Sequence, residues 1–157
     1  GYSLARKLFF DVAKHQVDSY LPELSETVGE ALLRTHLSYA PALRTLRKAK
    51  LLKGAAHITG GGITTNTPRM LPPGMNAQIQ LKSWEVPVLF QMLRDLGQVP
   101  DDDWRRTLNL GIGMIVCINE VDLPKVQRLL VKSGFPPLVI GKVIRGRKNE
   151  KPKTVYK

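Results

Sequence analysis

The sequence predicts an α+β fold, layered in the α/β manner, with a mixed β-sheet and helices packed against it. Three observations predict it. Four short apolar or alternating runs read as strands. Five or six helical segments are interleaved with them. No internal repeat or low-complexity linker divides the 157 residues, so they read as one domain long enough to bury roughly two-thirds of its unfolded surface.

In chain order, Leu4, Leu8 and Val12 recur at a helical period, with Phe9 beside them, over Ser3 to about His15. Residues 18–30 contain Pro22 and Gly29 and read as a loop. A second helix begins around Pro41, which suits a first turn, carries Leu43, Leu46, Leu51 and Leu52, and is expected to end at Gly54. Ala55–Thr59 is a short buried strand, and Thr64–Leu71 a short helix or turn stopped by Pro72-Pro73-Gly74. Ala77, Ile79 and Leu81 alternate with Gln78, Gln80 and Lys82, the pattern of a half-buried strand. Val86–Leu96 is a helix with Pro87 in its first turn and Gly97 at its end. Asp101–Leu108 opens on three aspartates, favourable at a helix N-terminus. The continuous apolar run Gly113–Ile118 predicts a central strand, Asp122 caps a helix running to Gly134, and Leu138–Ile144 is the last strand.

Composition excludes several function classes. Hydrophobic content is 43% and charged content 24%, the mix of a soluble globular domain. No apolar run approaches the roughly 20 residues needed to cross a bilayer, so no membrane partner is expected, and no signal peptide is visible in the opening GYSLARKLFF. The single cysteine, Cys117, excludes an intrachain disulfide framework. A cytoplasmic location is the simplest reading.

The net charge of +11 is unevenly distributed. Residues 147–157 close a strongly basic C-terminal stretch that reads as a tail fraying from a solvated strand end. Apart from the lone Tyr156, no aromatic residues interleave with its charges, so nucleic acid is not the expected partner. Between Glu30 and Glu85 there is no acidic residue, while Arg34, Arg44, Arg47, Lys48, Lys50, Lys53, Arg69 and Lys82 lie there. Such a region favours an anionic ligand, although several of these side chains also suit the outer face of one helix.

Inside that region lies His57-Ile58-Thr59-Gly60-Gly61-Gly62-Ile63-Thr64-Thr65-Asn66-Thr67. A strand, three glycines and a polar helix start form the layout of a phosphate cradle: glycines let backbone N–H groups approach an oxyanion, and a helix start adds positive potential. No Gly-Lys-Ser/Thr follows, so this is not a nucleotide P-loop. A tight turn with Asn66 as helix cap accounts for the same residues equally well. His57 alone is more often a hydrogen-bonded rim residue than a catalyst, and His15, His36 and His57 show no metal-ligand spacing. Cys117, within an apolar strand, reads as an inert buried thiol. Asn109-Leu110-Gly111-Ile112-Gly113-Met114 lacks the third glycine of a dinucleotide fingerprint and precedes a strand. It is read either as close backbone packing or as a second wall of the same site. Trp84 and Trp104 read as core or rim anchors, and Asp101-Asp102-Asp103 as a solvated helix start rather than a metal site.

Taken together, His57–Gly62, Asn66-Thr67-Pro68-Arg69 with Leu71-Pro72, and Asn109–Met114 resemble the signature of the phosphoribosylformylglycinamidine cyclo-ligase family, also called aminoimidazole ribonucleotide synthetases. Gly1-Tyr2-Ser3-Leu4 with Arg6-Lys7, Gly29–Leu33, Trp84-Glu85-Val86-Pro87 with Phe90, and Val139-Ile140-Gly141 with Val143 agree. The resemblance covers residues 1–146 and matches only the family's C-terminal domain. It implies that an N-terminal domain, carrying most ATP and Mg2+ ligands and most of a homodimer contact, lies outside this chain, and that the chain alone is inactive. It further implies ATP-dependent closure of formylglycinamidine ribonucleotide to aminoimidazole ribonucleotide in purine biosynthesis. By position, the backbone of Gly60, Gly61 and Gly62 with Thr59, Asn66 and Arg69 would hold a phosphate of the ribonucleotide or the one passed from ATP. His57 would orient the loop or touch substrate as the catalytic candidate, and Asn109, Gly111 and Gly113 would line the opposite wall. Two positions depart from the family pattern: Arg34-Thr35-His36 stands where Thr-Pro-Thr is usual before Tyr39, and Thr67 where isoleucine is usual. Related ATP-dependent enzymes (selenophosphate synthetase, thiamine-phosphate kinase, a hydrogenase-maturation factor, formylglycinamidine ribonucleotide synthase) share the domain plan but are not expected to share this joint set. A basic nucleic-acid-binding domain is the non-enzymatic alternative.

Overall fold

A computed structural model describes residues 1–157. Helix α1 (Tyr2–Arg6) continues into a π-helical turn, Lys7–Val12, where Ala13 N–H donates to Leu8 O at 2.9 Å. A small hairpin of β1 (Tyr20–Leu21) and β2 (Glu26–Thr27) follows, then α2 (Val28–Leu33). Residues 18–30, expected to be a loop, thus hold two strands and a helix start. The start is a capping box: Thr27 Oγ1 accepts from Glu30 N–H, and Glu30 Oε2 accepts from Thr27 N–H at 2.7 Å. Gly29 obscures that signal; a Cβ there would lie 2.7 Å from a methyl of the exposed Val17 and 3.1 Å from its carbonyl oxygen, so a side chain would have to displace Val17.

Helix α3 (Ala40–Lys48) ends before the expected Gly54. Lys50 adopts φ +59°, and Leu51 N–H closes back on Leu46 O, so the chain completes a glycine-type helix end without glycine. Strand β3 (Gly54–His57) then leads into the glycine run, α4 (Gly62–Asn66), a 3-10 turn (Thr67–Met70) and β4 (Met75–Ile79). Helices α5 (Val88–Gly97) and α6 (Asp101–Thr107) precede β5 (Met114–Cys117), α7 (Leu123–Lys132) and β6 (Gly141–Arg145). Asp122 makes no side-chain capping bond to α7, whose approach is instead a 3-10 turn.

The strands form separate small sheets. One is the β1–β2 hairpin, one the antiparallel β3–β5 ribbon, and one a mixed three-stranded sheet ordered β6-β4-β7. Strand β7 (Thr154–Tyr156) runs parallel to β4, with Ala77 opposite Thr154 and Ile79 opposite Tyr156. The basic C-terminal stretch, expected to fray, therefore returns to the sheet: Leu81 N–H donates to Lys157 O, and Lys157 N–H to Ile79 O. Lysines and arginines around Thr-Val-Tyr masked a strand-forming triplet.

The β5 run was expected to be central in its sheet, but it is one half of a two-stranded ribbon. Its unbroken apolar character has another cause, since both faces of the ribbon are covered. Ala56 and Ile115 pack with Ala77 and Ile79 of the three-stranded sheet. Val116 and Ile118 pack against Leu46 of α3 and Val126 and Leu130 of α7. A third cluster gathers Phe9, Val28, Leu93 and Trp104 from α1's π turn, α2, α5 and α6. Trp104 is buried, with Nε1 donating to Phe90 O at 3.1 Å, and Trp84 Nε1 donates to Leu110 O at 2.9 Å, so both tryptophans are anchors. No helix is long and apolar enough to cross a membrane.

Candidate functional site

The β3–β5 ladder brings the two glycine motifs together. His57 pairs with Met114, and just beyond it Ile58 N–H donates to Gly113 O at 2.9 Å. The motifs therefore lie on neighbouring strands rather than on opposite walls. Covering this junction, Tyr39 sets its hydroxyl where a Cβ on Gly113 would be, 2.0 Å away. Gly113 is needed for that close approach.

The three loop glycines have different roles. Gly60 is exposed, and a Cβ there would meet nothing within 4 Å. Gly61 has φ +98° and precedes α4; Gly62 has φ +57° and is buried. A Cβ on Gly62 would lie 1.9 Å from Arg105 O, so the loop is seated directly on the end of α6. Gly62 N–H donates to Thr59 O at 3.0 Å and is not open to a ligand, whereas Gly60 and Gly61 N–H donate to no protein acceptor.

Asn66 is only 2% exposed. Its Nδ2 donates to the carbonyls of Thr59, Gly60 and Gly62, at 3.3, 3.2 and 2.9 Å. The expected phosphate-contacting side chain is thus turned inward, where it gathers the loop's carbonyls on one side. Thr59, at the start of the loop, and Arg69, in the 3-10 turn after α4, are exposed. Asn109 Oδ1 accepts from Gly111 N–H at 3.0 Å, which closes its own turn; Gly111, at φ +90°, packs against Pro87. These are positioning contacts.

Thr64, which the sequence offers as a donor toward a ligand, is instead held by residues not singled out as site residues, Tyr156 and Thr154, with Arg105 beside them. Thr64 is tied to Tyr156 of β7, hydroxyl to hydroxyl, at 2.7 Å. Thr154 Oγ1 donates to Thr64 O at 3.1 Å. Arg105, ion-paired to Asp101 and Asp102, lies over the Tyr156 ring at 5.4 Å. The aspartate run so forms ion pairs at a helix start. His36, on the segment between α2 and α3, places Nε2 3.2 Å from His57 Nε2, and Tyr39 stands edge-on to both rings. The departure at His36 is the only sequence signal that pointed there.

Burial raises the Tyr39 and Cys117 pKa values above their ordinary ranges, so both groups stay protonated at neutral pH. A thiol held that way is a poor nucleophile. No group of three or more His, Cys, Asp or Glu side chains converges in a metal-holding arrangement.

The family model described as "AIR synthase related protein, C-terminal domain" matches residues 1–151. Phosphoribosylformylglycinamidine cyclo-ligase of Alkaliphilus metalliredigens is 44% identical over 149 residues, covering 94% of this chain and 43% of that protein. The protein of the same name from Caldanaerobacter subterraneus subsp. tengcongensis is 41% identical over 146 residues, covering 93% and 43%. The chain spans less than half the length of these relatives. Among solved structures, E. coli HypE, a hydrogenase maturation protein, superposes with a TM-score of 0.53 at 18% identity, covering 78% of this chain and 39% of that one. That likeness concerns the fold alone.

Proposed function

The chain belongs to the AIR synthase related protein C-terminal domain family, and on that premise we propose that it forms the C-terminal part of an ATP-dependent cyclo-ligase. The reaction is closure of formylglycinamidine ribonucleotide to aminoimidazole ribonucleotide, a step of purine biosynthesis. In the whole enzyme, ATP supplies the phosphoryl group that turns the formyl oxygen into a leaving group. A homodimer and a cytoplasmic location go with this reading.

One observation supports the chain's role most directly. Two free backbone N–H groups, at Gly60 and Gly61, sit on a loop that Asn66 braces from behind, within a stretch that has no acidic residue from 31 to 84. Free amides on a preorganised loop suit an oxyanion. Asn66 draws the loop carbonyls, which would repel an anion, toward itself. Exposed Arg69 adds positive charge. Thr59 lies at the start of the loop and His57 at the end of β3, where each can contact a ribonucleotide. Asn109, Gly111 and Gly113 shape the neighbouring turn. The residues do not fit a magnesium site, which takes oxygen ligands, because residues 31–84 supply no carboxylate and the α6 aspartates Asp101 and Asp102 are ion-paired to Arg105; no step is assigned to that ion. A related hydrogenase-maturation-type activity has fold-level support only.

The test is an amide NMR titration of the 157-residue chain with inorganic phosphate and with ribose 5-phosphate. Shifts centred on Gly60 and Gly61 are the expected result, with Gly62 much less affected. Unmoved Gly60 and Gly61 resonances at millimolar ligand would remove the phosphate role. Separately, the chain alone is expected to give no ATP-dependent ring closure. Activity would appear when the N-terminal part of the Alkaliphilus metalliredigens relative is joined ahead of Gly1.

A further inference from the structure

We propose that His36 and His57 form a two-imidazole binding site for a borderline divalent transition metal of the zinc, nickel or copper class. Their Nε2 atoms lie 3.2 Å apart with ring centroids at 5.3 Å. Two imidazole nitrogens, each about 2.0–2.1 Å from a tetrahedral metal, are separated by about 3.3 Å. The two nitrogens therefore already stand at chelating distance and face each other.

The pair is held in place by its surroundings. His57 lies in the β3–β5 ladder opposite Met114. His36 follows Arg34, which is anchored by a two-point ion pair to Glu26, Nε to Oε2 at 3.1 Å and Nη2 to Oε1 at 2.5 Å. Tyr39 packs edge-on against both rings, at 6.0 Å from His36 and 6.3 Å from His57. Tyr39 is able to do so because Gly113 has no side chain. Ligands preorganised by packed neighbours lose less freedom on binding.

Ligand chemistry selects the metal. Imidazole nitrogen suits zinc, nickel and copper, while magnesium and calcium demand oxygen. No acidic residue occurs between Glu30 and Glu85. Both histidines are exposed, so water completes the coordination from the open side. Without metal, the same separation fits one ring N–H donating to the other ring's bare nitrogen. On binding, that donor proton moves to Nδ1 and both Nε2 lone pairs point to the cation. Because His57 precedes Gly60 by three residues, a bound cation adds positive charge beside the glycine loop. The proposal does not depend on the cyclo-ligase reading.

The probe is ZnCl2, and in parallel NiCl2, titrated calorimetrically into the 157-residue chain in phosphate-free buffer. One equivalent should bind. H36Q and H57Q should each weaken binding by at least about tenfold, while H15Q leaves it unchanged and MgCl2 does not compete. Both substituted rings are exposed, so thermal denaturation should show the variants folded. Imidazole 15N resonances provide an independent check, with the Nε2 signals of His36 and His57 moving together. Absence of binding, or binding by H36Q and H57Q as tight as that of the parent chain, would overturn the proposal, as would zinc-induced shifts confined to His15.

Discussion

Tyr156 Oη and Thr64 Oγ1 lie 2.7 Å apart across 92 residues of sequence, and through this bond the C-terminal strand holds the helix that follows the glycine loop. Thr154 reinforces it by donating to the Thr64 carbonyl. Y156F removes one hydrogen bond and leaves the Arg105 contact, at a cost of about 1 kcal/mol. The expected result is a Tm lower by about 2–4 °C. Burial raises the Tyr156 hydroxyl above its ordinary value of 10.0. The folded chain therefore keeps that proton where the unfolded chain has lost it, and stability falls as pH rises past that value. Y156F should flatten this alkaline slope in thermal denaturation, and an unchanged slope would assign it elsewhere.

Thr67 gives a prediction of opposite sign. It is fully buried, and its Oγ1 has no hydrogen-bond partner. Thr67→Val exchanges an orphaned hydroxyl for a methyl of similar shape, which should stabilise by about 1 kcal/mol and raise Tm by about 2–4 °C. A lower Tm would mean that the hydroxyl is satisfied in solution.

The legible parts of the fold were those with a local cause. Pro41, Pro87 and the Asp101 run marked helix starts near their observed places, because those signals act within one turn. The family signature identified both glycine motifs because it is written in contiguous residues. What stayed hidden depended on distant partners. Asn66 is equally suited to cap a helix, touch a ligand or gather carbonyls, and only the three-dimensional path of Thr59–Gly62 decides among them. Strand β7 becomes a strand because Met75–Ile79 offers it an edge, a fact absent from Thr154–Tyr156 itself. The start of α2 stayed hidden for a different reason: the Thr27–Glu30 capping box is present, but Gly29 suggests a loop.

Gly60 and Gly62 should respond oppositely to alanine. At Gly60 the added Cβ meets open space, so Gly60→Ala should change stability by no more than about 0.5 kcal/mol. At Gly62 the backbone is left-handed and the Cβ would lie 1.9 Å from the Arg105 carbonyl. The left-handed conformation costs about 1–2 kcal/mol, and forced displacement of α6 adds about 1–3 kcal/mol. Gly62→Ala should therefore lower Tm by at least about 4 °C. Equal Tm values for the two variants would show that the loop does not rest on α6.

Asn66 tests whether the loop's shape depends on one side-chain amide. Asn66→Ala leaves the carbonyls of Thr59, Gly60 and Gly62 without that donor, at an expected cost of about 1–3 kcal/mol. Asn66→Asp keeps the size but sets an acceptor against three acceptors, in a site only 2% exposed. At neutral pH it should be the more damaging change. The introduced carboxyl is held neutral in the folded state, where its O–H can donate to a carbonyl, so its folded pKa lies above the unfolded value of about 3.9. Its relative stability is then fully present below that unfolded value and is lost as pH rises through the folded one. Thermal denaturation from acid to neutral pH should show Asn66→Asp approaching the parent chain at low pH and falling away as pH rises. Asn66→Ala should run parallel to the parent throughout. A pH-independent gap for Asn66→Asp would show that the side chain at 66 faces solvent rather than the carbonyls.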